Sequence, residues 1–195
     1  SYKFILGEGL NHKIKQFCKK NSVTQFIFLT SIWSLLLRKY FNNKQFFIGY
    51  PVNIRQQGFS KIYGNYISTI PLFVDINDDD QFIDFLLQIK AQRKQDSKHE
   101  KIFFNTTLQT KQNFSQDSND FNVTIGQTSF YSSFLEIDNV EIHNLTTSGD
   151  KLGRDQDFSL TYDPNTNHLE CLIRYNPRLF SKEFALCTKS HFINL

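Results

Sequence analysis

The 195-residue sequence predicts a mixed α/β fold, a β-sheet with helices packed on it. Three observations lead there. Two runs with helical spacing come before any strand. The stretch "FIFLTSIWSLLL" is apolar nearly all round, as a deeply buried helix is. Alternating, strand-like segments such as "KIYGNYISTIPLFVDI" (61–76) then interleave with further helical periods. The predicted order is α-α-β-β-α-loop-β-β-β-β-α.

Residues 9–20 place Leu10, Ile14 and Phe17 on one amphipathic stripe. Thr24 is a suitable N-cap for a second helix running to about Phe41. "QFFIGYPVNI" (45–54) reads as a strand closed by a Gly-Tyr-Pro break and followed by a polar turn. After the 61–76 strand, residues 80–97 form a helix with Phe82, Leu86 and Ile89 on one stripe. The polar stretch 105–120 has no period and is expected as a loop. Strands follow at "FNVTIG" (from 121), "VEIHNLTT" (from 140), "DFSLTY" (from 157) and "HLECLIRYN" (168–176). Ser181 caps a last helix reaching Leu195.

The 61–76 strand poses the main question. Alternation puts Tyr66, Ser68, Ile70 and Leu72 on one face and Ile67, Thr69, Pro71 and Phe73 on the other. Both faces are mostly apolar, so cover on both sides is expected, yet each carries a hydroxyl that must find a partner when buried. Pro71 removes a ladder donor and places the strand at a sheet edge or a bulge. Gly64 lets the backbone bend or approach a ligand.

Composition bounds the answer. Hydrophobic residues make up 39% and aromatics 15%, with 21 Phe, which fits a globular chain and excludes disorder. The net charge of +3 is scattered; Lys90 to Lys94 and Asp78 to Asp80 lie at opposite ends of the third helix and complement its dipole. No nucleic-acid partner is expected from such a pattern. Cys18, Cys171 and Cys187 show no metal-type pairing and fit reduced thiols in a cytoplasmic protein. The five histidines stand alone, so no metal site is expected. The longest oily run is too short to span a bilayer, so no membrane association is expected. The chain has no Met, even at position 1, and is expected to be processed or cut from something longer.

Catalytic signatures are weak. There is no Gly-x-Ser-x-Gly elbow, "GEGLN" at 7–11 reads as a helix entry, and Asp155 and Asp157 flank a strand. No general base is expected to be paired with a positioned partner. Nothing here predicts an enzyme built from this chain alone.

Several stretches, in order, resemble the C-terminal half of a nonribosomal peptide synthetase condensation domain. Gly64, Asn65, Tyr66, Ile67, Ser68, Thr69 and Ile70 are similar to that family's Gly-x-Phe-Val-Asn-Thr-Leu motif, with Ser68 in place of the Asn. "IGYPVNIR" (48–55) resembles its Gly-x-Pro-Val-x-x-Arg strand and turn through Gly49, Pro51, Val52 and Arg55. "KHEKIFF" (98–104) keeps only His99 and Phe104 of a His-Gln-Asp-x-Pro-Phe motif. "DFSLTY" and "IRYNPRLFS" are similar to a Phe-Asp-Leu-Thr-Leu strand and a Tyr-Asn-x-x-Leu-Phe junction.

The resemblance implies one lobe of a chloramphenicol-acetyltransferase-like fold, with two α/β lobes in a V and a tunnel between them. It implies that residues 1–195 are the C-terminal lobe and that the N-terminal catalytic lobe, with its His-His-x-x-x-Asp-Gly motif, is absent. The implied activity is amide-bond formation between an acyl or peptidyl donor and an aminoacyl acceptor, both on phosphopantetheine arms of carrier proteins. No cofactor is bound directly. The implied partners are the N-terminal lobe, peptidyl and acyl carrier proteins and a neighbouring adenylation domain, in the cytoplasm. Asn65, Tyr66, Ser68, Thr69, Tyr50 and Arg55 would border the tunnel, and the fragment alone would be inactive. Five of these also have a plain structural role open to them: backbone hydrogen bonding for Ser68 and Thr69, a turn for Asn65, an ion pair for Arg55 and core packing for Tyr50. A related acyltransferase, an epimerisation domain and a non-catalytic carrier-binding scaffold remain as alternatives.

Overall fold

The computed structural model describes residues 1–55, 58, 61–64, 66–99, 122–128, 157–165 and 167–195. The chain opens with β1 (Tyr2–Leu6), then α1 (Glu8–Lys20) and α2 (Gln25–Phe41). A strand pair, β2 (Gln45–Asn53) and β3 (Ile67–Asp75), leads to α3 (Phe82–Asp96). Then come β4 (Val123–Gln127), β5 (Phe158–Asp163), β6 (Leu169–Tyr175) and α4 (Lys182–Asn194). The strands form one sheet in the order β1-β6-β5-β4-β2-β3. β4 runs parallel to β2 and to β5, and the other neighbours are antiparallel.

The helix ends follow their sequence signals. The Thr24 hydroxyl accepts from the Ile27 amide at 3.2 Å, and the Ser181 hydroxyl from the Phe184 amide at 3.1 Å. Asn42 ends α2 in the left-handed conformation at φ 49°. Within α2, Ser31 and Ser34 donate to the Ile27 and Thr30 carbonyls, so their buried hydroxyls are satisfied inside the helix.

Two expectations shift. The stripe of α1 turns away from Leu10, which is 38% exposed, towards Asn11, Ile14 and Cys18. Asn11 explains the rotation. Its amide donates to the Asn167 carbonyl and accepts from Gln25, each at 2.8 Å, tying α1 to α2 and to the loop before β6. β1 is unanticipated, because five residues interrupted by Lys3 have no helical or strand signal of their own. Pairing Phe4 with Cys171 along β6 makes it a strand. The strand expected from 140 and the loop expected at 105–120 lie outside the described residues.

One face of the sheet carries the core. Ile48, Tyr50, Leu72, Val74, Leu160, Tyr162 and Ile173 alternate onto it and are buried beneath the helices. Trp33 of α2 packs on Phe158 at 5.0 Å, and Phe4 meets Phe192 of α4 at 6.3 Å. On the opposite face Thr124, Ser159, Asp163 and Glu170 are buried too, so the central parallel strands are covered on both sides. The edge is different. Ile67 is 64% and Phe73 40% exposed on β3, which corrects the expected two-sided cover of that strand. Pro71 does sit on an edge strand, where its missing N–H costs the ladder nothing. Among the described residues, no helix is long and apolar enough to cross a membrane.

Candidate functional site

The turn between β2 and β3 gathers one pair of the candidate residues. Asn53, the last residue of β2, accepts from the Arg55 amide through its side chain at 2.9 Å, which turns the chain. The Ile54 amide donates to the Tyr66 carbonyl at 2.8 Å and returns the chain to β3. Between these points the Arg55 guanidinium lies 3.9 Å from the Tyr66 ring centroid and donates to the Ile62 carbonyl at 2.7 Å. Such a stacked cation is attracted by the ring face and cannot be exchanged for lysine without loss. Gly64 makes room for it: a Cβ there would come within 3.2 Å of the Tyr66 ring. Among its contacts, Arg55 is thus held by a ring and a carbonyl.

The remaining candidates diverge. Ser68 lies opposite Val52 on the helix-covered face, and Thr69 opposite Pro51 on the other; both are half-buried. Alternation therefore separates the two hydroxyls to opposite sides of an edge strand. Tyr50 is a core ring, 1% exposed, edge-on to Phe26 at 6.0 Å. Asn65 lies outside the described residues, as does all of the 98–104 motif beyond His99. His99 is exposed in the turn after α3, where its amide donates to the Asp96 carbonyl at 2.8 Å.

A second group was missed by sequence reasoning. At the C-terminal ends of β2 and β4 lies a cavity of about 470 Å³. Thr24, Phe26 and Ile27 from the start of α2 form one side, and Lys90, Arg93 and Lys94 from the end of α3 the other. Tyr50, Pro51 and Gln127 complete it from the strands. The Arg93 guanidinium sits 4.3 Å from the Tyr50 ring centroid, and Gln127 accepts from the Tyr162 hydroxyl at 3.0 Å. The i, i+3, i+4 spacing of the three cations was the available signal, because it sets them on one helix face.

Other reactive groups are tied up. Burial pushes the Cys171 thiol up to about 12 and raises Cys18 as well, which keeps both as inert thiols. The expectation that no general base is paired with a positioned partner is corrected at His168, whose Nε2 lies 3.1 Å from the Glu170 carboxylate. Lys3 binds the same carboxylate at 2.5 Å. This cluster spans β6 and β1, at the opposite edge of the sheet from β3.

The condensation-domain family model matches residues 1–195. The chain belongs to the condensation-domain family. Among curated proteins, this condensation-domain chain is 23% identical over 193 residues, 96% of its length, to a linear gramicidin synthase of Brevibacillus parabrevis. It resembles the first condensation domain of the CDA synthetase, with a TM-score of 0.74 at 11% identity over 99% of its length. A four-domain nonribosomal peptide synthetase bound to AMP and glycine matches equally fully, with a TM-score of 0.77 at 20% identity. At these identities the likeness to the solved structures is one of fold, and it agrees with the chloramphenicol-acetyltransferase-like α/β architecture expected from the motifs. The chain spans 2% of the gramicidin synthase, 43% of the CDA synthetase domain and 16% of the four-domain protein.

Proposed function

We propose that residues 1–195 are the C-terminal lobe of a nonribosomal peptide synthetase condensation domain and supply one wall of an amide-forming tunnel. The observation that carries this reading is the match of 99% of the chain to 43% of a condensation-domain chain, more than half of which lies outside the match. The apolar edge supports it: Phe47 and Phe73 pair across β2 and β3, their rings 5.3 Å apart and both well exposed, and Ile67 is exposed on the same face at the start of β3. A surface of this kind is suited to packing against a partner lobe.

In this reading the donor acyl group and the acceptor amine arrive on phosphopantetheine arms of carrier proteins. The paired histidines that assist the amine belong to the other lobe. The residues of this chain position rather than react. The Arg55–Tyr66 stack fixes the turn leading into β3, and Tyr66, Ser68 and Thr69 present polar atoms at the edge where thioester and amide groups would lie. The parent works in the cytoplasm beside an adenylation domain.

The test uses the longer parent protein with matched donor-loaded and acceptor-loaded carriers, and follows the amide product by mass spectrometry. Product from the parent and none from residues 1–195 is the expected outcome. Turnover by the 195-residue chain alone would refute the lobe assignment. A well-folded parent that binds both carriers but forms no amide with several acceptors would point instead to a scaffold.

A further inference from the structure

The two outer strands of the sheet differ in how they resist the addition of a further strand. β1 has five residues and carries Lys3, which is half-exposed and pairs with Glu170. Short length and lysine both discourage edge-to-edge pairing. β3 has nine residues, contains no Lys or Arg, and pairs with β2 without a bulge from Gln45–Asp75 to Asn53–Ile67. Its Phe73 ring is exposed beside that of Phe47. Among the described strands β3 is the outermost on its side of the sheet. A long, regular and partly apolar edge is a template for another strand.

Two hydrogen bonds fix which backbone groups of β3 look outward. The Ile54 amide donates to the Tyr66 carbonyl at 2.8 Å, and the Ile76 amide donates to the Lys44 carbonyl at 3.0 Å. In an antiparallel ladder the N–H and C=O of one residue point to the same side, and the side alternates along the strand. The even-numbered residues from Tyr66 to Ile76 therefore turn their backbone groups towards β2. Thr69, Pro71, Phe73 and Asp75 turn theirs away from it. Pro71, the middle residue of β3, is its only residue without an N–H, and it falls in the outward set.

We propose that Pro71 guards the outer edge of β3 against strand addition by a second copy of this chain. Two copies related by a two-fold axis would pair β3 antiparallel with β3. Centred on residue 70, 71 or 72, such a pairing calls on the N–H of residue 71 in each copy. Proline withholds both, so the ladder loses two hydrogen bonds at its middle. In the register centred on Leu72, Thr69 faces Asp75 and Pro71 faces Phe73, and the side chains themselves raise no like-charge obstacle. The guard acts on the backbone edge alone and leaves the rings of Phe47 and Phe73 available on the sheet face. It does not depend on the proposed function.

The experiment compares the 195-residue chain with its Pro71→Thr and Pro71→Val variants by sedimentation equilibrium and amide hydrogen exchange. Both replacements restore the outward N–H, suit a strand and touch no bond to β2, so the circular dichroism of the monomer should be unchanged. Dimerisation should tighten about tenfold or more in each, as two regained hydrogen bonds imply. In the dimer the amides of residue 71, Phe73 and Asp75 should gain protection, whereas those of Leu72 and Val74, which already face β2, should not. Adding Phe47→Ser removes an exposed ring from the sheet face without touching the edge, and the gain should persist. The proposal is overturned if the folded variants dimerise no more tightly than the wild type. It is overturned equally if Phe47→Ser abolishes the gain, which would assign it to the face, or if open-ended filaments form, which need β1 of the next copy. Misfolding of both variants would also sink it, because an outward N–H is harmless to the monomer. All of these results stand apart from the amide-formation assay.

Discussion

Strands β4, β5, β6 and β1 are joined residue by residue, whereas the β2–β3 pair meets them at a single bridge, Gly49 opposite Thr124. Within each unit the ladders are continuous, running from Gln45–Asp75 to Asn53–Ile67 in the hairpin and from Phe158–Tyr175 to Asp163–Glu170 in the body. Pro51 contributes to the gap, since it has no N–H with which to extend the parallel ladder beyond Gly49. What binds the hairpin to the body is therefore side-chain packing beneath α2 and α3, through Ile48, Tyr50 and Leu72. The difference teaches that one continuous sheet can contain a hairpin whose attachment is hydrophobic more than hydrogen-bonded. Tyr50 and the cationic pocket lie at that weaker seam, while Ser68 and Thr69 lie beyond it on the outer strand.

The largest effects should come from cavities cut on either side of it. Leu160→Ala in the body and Leu72→Ala in the hairpin each remove a side chain with no solvent exposure. Each should cost about 2–5 kcal/mol in urea unfolding. Hydrogen exchange then separates the units: Leu72→Ala should speed exchange in β2 and β3 while sparing β5 and β6. Equal acceleration across all strands would mean that the sheet opens as one unit and would remove the distinction.

An alkaline titration gives the next effect. Cys171 ionises at about 12 in the folded chain against an ordinary 9.0, because burial disfavours the thiolate. A raised value means that this contribution is fully present below pH 9 and is lost as pH climbs towards 12, at up to about 1.4 kcal/mol per pH unit. Tyr162, also raised by burial, adds to the slope above pH 10. Both residues belong to the body, so β5 and β6 should lose protection first. Cys171→Ala should reduce the slope between pH 9 and 10 to the part that the Cys18 thiol, also raised by burial, still contributes.

The smallest effect tests the seam itself. A Cβ on Gly126 would come within 3.2 Å of Pro51 Cγ, across the gap between β4 and β2. Gly126→Ala should cost about 1 kcal/mol, as mild overpacking does. The cost should shrink in a Pro51→Ala background, where the contact is gone. An unchanged cost in the double variant would show that the penalty arises within β4 and not at the seam.

Much of this is legible in the sequence. Thr24 and Ser181 are readable as caps because capping is local chemistry, and Pro71 announces an edge because a missing N–H is a property of the residue. The buried α2 is plain from its unbroken apolar run. The rotation of α1 is not, since a buried Asn11 follows no hydrophobic spacing and gains its role only when Gln25 and Asn167 stand beside it. The Arg55–Tyr66 stack joins residues eleven apart in sequence, although each stands out separately in its own motif. The pocket cations look like a solvated helix end in the sequence because the start of α2 and the end of β4, which enclose them, are distant in the chain.

The sequence by itself determined the described helices and every described strand but β1, the polar residues at their ends, and the family through an ordered set of short motifs. These depend on neighbours within a few positions. Only the tertiary structure decided that β1 pairs with β6, that Ser68 and Thr69 part to opposite faces of an outer strand, and that Lys90, Arg93 and Lys94 look into a cavity. Those outcomes depend on which distant segments meet, because burial and charge acquire their energy from surroundings that local spacing does not encode.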